Sequence, residues 1–201
     1  MGACYSSRVN YLDTLNDAQK QAVLHTEGPL LIVAGAGAGK TKTITHRIAH
    51  LIEEGIAPAS ILAVTFTNKA AGEMRDRVRN LLADKRGGFP FISTFHSLGV
   101  RLLREFHEEM GIPRGFSIWD RDDSLRAVKA ELKRLNTEEW TPRQILSAIS
   151  REKGGGKALS EYRERASTRR EQMVAVIWDR YEQALTEEGS LDFDDLLVRT
   201  L

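Results

Sequence analysis

The clearest chemical signal in the sequence is a glycine-rich loop at residues 34–41, Ala-Gly-Ala-Gly-Ala-Gly-Lys-Thr. Glycines let successive backbone N–H groups curl around a phosphate, and the N-terminus of a following helix adds a positive dipole. In such a loop we expect Lys40 to reach the β- and γ-phosphates of a nucleoside triphosphate, and the Thr41 hydroxyl to hold Mg²⁺. Alanine at position 34 replaces the usual glycine but is nearly as compact. The loop alone does not distinguish a kinase from a GTPase or a motor.

Apolar runs and amphipathic periodicity around the loop predict the elements that position it. The apolar runs predict buried strands at residues 30–33, 61–64 and 91–95. The amphipathic patterns predict helices at residues 16–24, 41–54, 69–82 and 97–110. The first of these helices has Asn16 as its N-cap and Gln19 three residues later. Strands and helices that alternate in this way predict an α/β fold with a parallel sheet and right-handed crossovers.

Beyond residue 111 the sequence pattern predicts helices and no further strand. Thr141, Pro142 and Gln144 form a capping box with proline at the first helical position. Three consecutive glycines among charged residues predict a flexible loop at residues 150–157. Further helices are predicted at residues 120–135, 168–188 and 192–201.

The composition is that of a soluble globular chain. Its 201 residues suffice for one large domain or for a core domain with a smaller insert. The net charge is +1, so a surface for nucleic acid would have to be a local patch. Two basic clusters are either solvated faces or phosphate-binding surfaces: Arg75, Arg77, Arg79, Lys85 and Arg86, and Arg163, Arg165, Arg169 and Arg170.

The cysteine content and the lengths of the apolar runs indicate the cellular compartment. Cys4 is the single cysteine, which excludes a disulfide framework and a thiolate metal site within the chain. The sequence contains no apolar run of membrane-spanning length and no secretory signal pattern. We therefore expect a cytoplasmic protein that does not insert into a membrane.

Four further segments contain sequence motifs in addition to the glycine-rich loop. They are residues 15–23 (LNDAQKQAV), 63–77 (AVTFTNKAAGEMRDR), 93–104 (STFHSLGVRLLR) and 191–197 (LDFDDLL). In this order and spacing they resemble the superfamily 1 DNA helicases of the UvrD/Rep/PcrA type. The likeness runs from about Leu12 to the end of the chain.

The resemblance implies nucleotide-binding residues outside the loop, among them Gln19 and Arg77. Gln19 matches the family glutamine that recognises adenine, and a side-chain amide offers the matching donor and acceptor. From local sequence alone, Gln19 is equally the capping partner of Asn16. Arg77 matches a family arginine near the nucleotide, although it is also explained as a solvated helix charge. The predicted nucleotide-binding residues are Gln19, Ala34, Gly35, Ala36, Gly37, Ala38, Gly39, Lys40, Thr41, Lys42 and Arg77.

The resemblance also implies five DNA contacts. Phe66 matches a position that packs on a base, and Thr67 and Asn68 match contacts to the DNA backbone. Thr94 and His96 match contacts of the Thr-Phe-His-Ser segment. The alternatives are a buried strand aromatic for Phe66 and a structural hydrogen bond for His96.

The acidic segment after residue 190 also has two interpretations. Its aspartates suggest a metal site, but Asp192 is also a suitable helix cap. Asp194 and Asp195 would then favour the first helical turn. We prefer the capping interpretation.

The resemblance implies a fold and a set of ligands. The expected fold class is α/β: an incomplete RecA-like parallel sheet at residues 1–111, an all-helical inserted subdomain at residues 112–190, and a helix returning to the core at residues 191–201. ATP and Mg²⁺ are the expected cofactors. Single-stranded DNA and junctions between single- and double-stranded DNA are the expected partners of a motor that moves 3′ to 5′.

Two features argue against full activity in residues 1–201 alone. The sequence contains no Asp-Glu pair after an apolar strand and no arginine from a second RecA-like domain. We therefore expect weak nucleotide binding and poor hydrolysis. Without the strand that carries that Asp-Glu pair, residues 31–33 would have an open edge, which predicts self-association or an excerpt of a longer protein. A non-catalytic DNA- or protein-binding module and a P-loop kinase are the alternative functions.

Overall fold

The computed structural model describes residues 11–82 and 88–201. These residues form two compact units, one ending at Thr94 and the other comprising residues 95–201. Cys4, Lys85 and Arg86 lie outside the described residues. The predicted domain boundaries at residues 111 and 190 stay predictions.

The first unit combines three helices with a two-stranded parallel sheet. Its helices are α1 (Asp17–Leu24), α2 (Lys40–Glu53) and α3 (Asn68–Leu82). Its strands are β1 (Leu62–Thr65) and β2 (Phe91–Thr94), paired in parallel from Leu62 opposite Phe91 to Thr65 opposite Thr94. Short 3-10 turns occur at Tyr11–Thr14 and Pro58–Ser60. Because α3 connects the two strands, the predicted parallel crossover is confirmed here.

The core of the first unit lies between its helices and the sheet. Met74 and Val78 on α3 and Ile48 on α2 are buried together. The remaining buried members of this cluster are Ala49, Ile61, Leu82 and Ile92. The amphipathic faces of α2 and α3 are therefore covered at these positions, whereas Ile44, which the periodicity of α2 also places on its apolar face, is exposed.

The buried strand predicted at residues 30–33 is wrong. No residue of this segment belongs to a strand, and Leu31 and Val33 are 86% and 88% exposed. An apolar run forms a buried strand only where neighbouring strands complete its backbone hydrogen bonds. In the described part of the first unit, β1 and β2 pair only with each other.

The second unit is mainly helical. Its longer helices are α4 (Phe95–Glu105), α5 (Arg121–Arg134), α6 (Pro142–Gly154) and α8 (Arg169–Glu187). Its shorter elements are β3 (Ser117–Ile118), α7 (Leu159–Arg165), β4 (Ser190–Leu191) and α9 (Asp195–Val198).

Three details of the second unit differ from the sequence prediction. β3 and β4 pair in parallel, so the expectation of no strand beyond residue 111 is wrong. Two residues are too short to show the alternation that indicates a strand. The loop predicted at residues 150–157 starts later than expected, because α6 continues to Gly154 and only residues 155–158 are non-helical. Helix α7 was not predicted.

Four helices begin with a complete capping box. The N-cap residues are Asn16, Asp120, Thr141 and Thr168, and each is followed three residues later by a side chain that returns a bond to the cap. The boxes at Asn16 and Thr141 confirm the sequence prediction. Such boxes satisfy backbone N–H groups that have no partner within the helix.

The second unit has two buried clusters. The larger one surrounds Trp178 and Tyr181 of α8 and includes Ile145 and Ile149 of α6. The smaller one consists of Leu103, Ile112, Phe116, Leu191 and Leu196. Among the described residues, no helix combines the length and the apolar character needed to cross a membrane.

Candidate functional site

The glycine-rich loop turns directly into the N-terminus of α2. Gly37 and Gly39 have φ values of 77° and 81°, in the left-handed region that glycine adopts most readily. Gly39 is the N-cap residue of α2, and its carbonyl accepts from Thr43 N at 2.9 Å. A Cβ built on Gly35 or Gly37 would meet no atom within 4 Å. The loop therefore leaves open space at these glycines, beside the positive end of a helix.

The Lys40 ammonium lies within this loop. Its Nζ donates to the carbonyl oxygens of Ala34 and Gly35, each at 2.7 Å. Thr41 follows in the first turn of α2 and is half-buried. Lys42 is directed elsewhere, because its ammonium donates to the Thr14 carbonyl. Lys40 thus folds back onto the loop that precedes it, Thr41 lies in the first turn of α2, and Lys42 contacts the segment before α1.

Gln19 connects the cap of α1 to the phosphate loop. Its Oε1 accepts from Asn16 N at 3.2 Å, and its own N–H donates to Asn16 Oδ1 at 2.9 Å. Its Nε2 donates to the Ala38 carbonyl at 3.1 Å. A Cβ on Gly39 would stand 2.7 Å from that Nε2. The capping interpretation of Gln19 is therefore confirmed, and the same amide also contacts the loop.

Two arginines of α3 behave differently. Arg75 Nη1 donates to the Ile92 carbonyl at 2.9 Å, which ties the helix to β2. Arg77 is exposed and makes no hydrogen bond to the described residues of the phosphate loop. Its role near the nucleotide stays a prediction.

An exposed aromatic side chain follows β1. Phe66 is 89% exposed, so its interpretation as a buried strand residue is wrong. Thr67 Oγ1 accepts from Ala70 N at 3.1 Å and caps the first turn of α3, of which Asn68 is the first residue. The Phe66 ring is therefore displayed next to a helix N-terminus, an arrangement suited to a base and its phosphate.

Thr94 and His96 lie on either side of the boundary between the units. Thr94 ends β2 and is buried. His96 is half-buried in α4, where its ring meets the Phe193 ring edge-on with centroids 5.5 Å apart. The contact between the His96 and Phe193 rings was not predicted from the sequence.

Comparison with known proteins agrees with these motifs. Residues 15–201 match the family model described as the UvrD/REP helicase N-terminal domain. The chain belongs to the UvrD/REP helicase family. The resemblance seen in the sequence motifs is thereby confirmed.

Its relatives among curated proteins are longer. The ATP-dependent DNA helicase PcrA of Bacillus subtilis strain 168 is 45% identical over 193 residues. The PcrA helicase of Staphylococcus aureus strain Mu50 is 43% identical over 193 residues. Both alignments cover 94% of this chain and 26% of the relative. This UvrD/REP chain therefore spans about a quarter of the length of the curated relatives it matches.

A buried ion cluster in this UvrD/REP chain was missed at the sequence level. The side chain of Lys153 is 7% exposed, and its Nζ lies 2.8 Å from Glu182, 2.8 Å from Asp192 and 3.1 Å from Asp195. Burial alone lowers the pKa of Lys153, but the three carboxylates outweigh it and raise the pKa above its usual value. The three glycines that follow suggested a solvated loop, and the carboxylates lie too far along the chain for local patterns to reveal them.

The acidic segment that begins at Asp192 forms a turn closed by two hydrogen bonds. Asp195 N donates to Asp192 Oδ1 at 2.8 Å, and Asp192 N donates to Asp195 Oδ2 at 3.1 Å. This reciprocal pair closes the turn, but α9 begins at Asp195 with Asp194 as its N-cap residue and ends at Val198. The prediction of a helix at residues 192–201 with Asp192 as its cap is therefore wrong in its bounds. In the described ranges, no group of three or more His, Cys, Asp or Glu residues is arranged to hold a metal ion.

Proposed function

We propose that this chain is the ATP-binding N-terminal part of a DNA helicase that translocates 3′ to 5′ on single-stranded DNA and unwinds duplexes. The observation that carries the proposal is the exposed Phe66 ring beside the N-terminus of α3, in the unit that also contains the phosphate loop. Membership of the UvrD/REP family and the names of the curated relatives support it.

Residues 34–41 would hold the phosphates of ATP. The left-handed glycines and the α2 N-terminus provide backbone N–H groups, and Lys40 would exchange its two carbonyl partners for phosphate oxygens. Thr41 would hold Mg²⁺, which neutralises charge on the transferring phosphoryl group. Gln19 would recognise the adenine edge from its position at Ala38.

Hydrolysis by residues 1–201 alone should be poor. Phosphoryl transfer is accelerated almost entirely by positioned charges, and an arginine finger contributes about 10³- to 10⁵-fold. The sequence contains no Asp-Glu pair after an apolar strand to hold the metal. We therefore assign these residues nucleotide binding and part of the DNA track.

Five residues would contact DNA. Phe66 would stack on a base, because an aromatic face accepts any base without sequence preference. Thr67 and Asn68 would bind phosphate through the start of α3, with Thr94 and His96 as further contacts. Junction DNA is the expected substrate of the longer protein.

The test measures binding of a fluorescently labelled single-stranded oligonucleotide by anisotropy, at two salt concentrations, with and without Mg²⁺-ATP. Base stacking is worth about 1–3 kcal/mol, so Phe66→Ala should weaken binding about 5- to 150-fold. Phe106→Ala, which also removes a partly exposed ring, is the matched control and should bind like wild type. Lys40→Ala should lose nucleotide binding and keep nucleotide-free DNA binding.

Two results would decide against the proposal. Equal affinities of Phe66→Ala and wild type would remove Phe66 from the DNA track. Nucleotide binding without any salt-sensitive DNA binding would leave only a nucleotide-binding domain. DNA binding by a longer protein that fails to hydrolyse ATP would instead favour the non-catalytic module.

A further inference from the structure

One buried ammonium fixes both ends of the turn that carries Phe193. Lys153 Nζ lies 2.8 Å from Asp192 Oδ2 and 3.1 Å from Asp195 Oδ2, and these two residues flank Phe193. Each of the two aspartates also donates its backbone N–H to the carboxylate of the other. Lys153 of α6 therefore holds the turn at residues 192–195 in place.

The ammonium is itself held by a frame of buried and half-buried side chains. Glu182 of α8 accepts from Lys153 at 2.8 Å and from Trp178 Nε1 at 3.0 Å. The Tyr181 hydroxyl bonds Asp192 at 3.0 Å and Ser124 of α5 at 2.9 Å. Because buried carboxylates require a counter-charge, the lysine cannot leave this frame without a large penalty.

The turn and the start of α9 contact α4 at two places that are about one helical turn apart. The Phe193 ring meets the His96 ring edge-on at 5.5 Å. A Cβ on Gly99 would stand 2.0 Å from the Leu196 carbonyl oxygen, so the two backbones touch there. The first turn of α4 is thus located by the same segment that Lys153 holds.

We propose that Lys153 is a positioning residue for His96, acting through the turn at residues 192–195 and the Phe193 ring. Lys153 does not touch DNA in this scheme. It sets where the imidazole is presented. The inference rests on the proposed function, because it assigns His96 to the DNA contact.

The experiment compares the full chain with three single variants. Lys153→Met removes the charge at similar length, and Lys153→Arg keeps it. Lys157→Met is the matched control, because this lysine is partly exposed and its ammonium bonds Glu152 rather than the turn. The measurements are the imidazole signals of His96 in ¹H–¹³C spectra, assigned with His96→Gln, and oligonucleotide affinity.

We expect Lys153→Met to shift the His96 signals, because the ring current of Phe193 acts on that imidazole. Its oligonucleotide affinity should fall about 2- to 12-fold, the value of one hydrogen bond. Lys153→Arg should restore most of both, and Lys157→Met should change neither. Adding His96→Gln to Lys153→Met should cause little further loss, since both act through one contact.

If Lys153→Met does not fold, a charge-balanced variant can replace it in the experiment. Lys153→Gln combined with Asp192→Asn removes one charge of each sign and should still shift the His96 signals. Unchanged His96 signals in folded Lys153→Met, or in the folded charge-balanced variant, would overturn the inference. Shifted signals together with an unaffected affinity of His96→Gln would retain the positioning role and overturn the DNA assignment of His96.

Discussion

Gly99 of α4 packs against the backbone of Leu196 in α9, with no room for a side chain between them. A Cβ at position 99 would lie 2.0 Å from the Leu196 carbonyl oxygen and 3.0 Å from its carbonyl carbon. Helix backbones approach this closely only where one residue is small. The contact therefore makes glycine a requirement of packing at this position.

Gly99→Ala should destabilise the second unit despite the better helix propensity of alanine. Overpacking costs about 1–3 kcal/mol, and relief requires a shift of a backbone rather than of a flexible side chain. Urea unfolding followed by tryptophan fluorescence would measure it, because Trp119, Trp140 and Trp178 all lie in this unit. Gly154→Ala is the matched control: its nearest atom is Asp194 Oδ1 at 3.7 Å. Equal stabilities of both variants and wild type would contradict the clash.

Tyr181→Phe should lower the free energy of unfolding by about 1–3 kcal/mol. The hydroxyl bonds the Asp192 carboxylate and Ser124, and bonds to charged groups are worth more than neutral ones. Tyr162→Phe serves as the control, because its buried ring has no hydroxyl bond to a described side chain. The same urea titration would report both, and a loss as large in Tyr162→Phe would count against the network.

Acid should weaken the ion cluster through Asp195. Burial alone raises the pKa of Asp195, but Lys153 and Arg199 outweigh it and lower the pKa. The stabilisation is therefore complete above the unfolded pKa of about 3.9 and is lost as the pH falls through the folded pKa. Burial raises the pKa of Asp194, so its protonation acts in the opposite sense.

Urea unfolding between about pH 5 and pH 3 separates these two carboxyls. Asp195→Asn should lose less stability on acidification than wild type, although it is less stable at neutral pH. Asp194→Asn should lose more than wild type. Identical pH slopes in the three proteins would show that other groups dominate.

Gln19→Glu should separate the two roles of this side chain. A carboxylate keeps the acceptor that the Asn16 cap uses but has no N–H to donate to the Ala38 carbonyl. Helix α1 should persist, while amide exchange at Gly37 and Gly39 accelerates and ADP affinity falls about 2- to 12-fold. Gln21→Glu adds the same charge on an exposed position of α1 and should bind ADP normally. Unchanged loop exchange in Gln19→Glu would contradict the structural tie.

Features set by neighbouring residues were predictable from the sequence. The caps at Asn16 and Thr141 follow from side chains three residues apart, and the crossover from β1 to β2 follows from a regular alternation. The family motifs located Lys40 and Phe66, although propensity alone would have buried Phe66.

Features that depend on distant partners were not predictable. Residues 30–33 have the composition of a buried strand, yet a strand exists only with a neighbour. Lys153 bonds Asp192, which lies 39 residues further along the chain. A lysine followed by glycines looks, from its neighbours alone, like a solvent-exposed lysine. Gly99 shows no local sign that a carbonyl oxygen would occupy the space of its side chain.

The pairing of β3 with β4 brings two points of the chain together that are 73 residues apart, as the 2.6 Å contact of the Ser117 and Ser190 hydroxyls shows. Residues 119–189 of the second unit therefore begin and end side by side at this strand pair. Segments whose ends lie side by side tolerate insertion, replacement and permutation well. Changes of length in the loops between these helices can thus leave the paired strands in place, provided that the bonds from Lys153 and Tyr181 to Asp192 are kept.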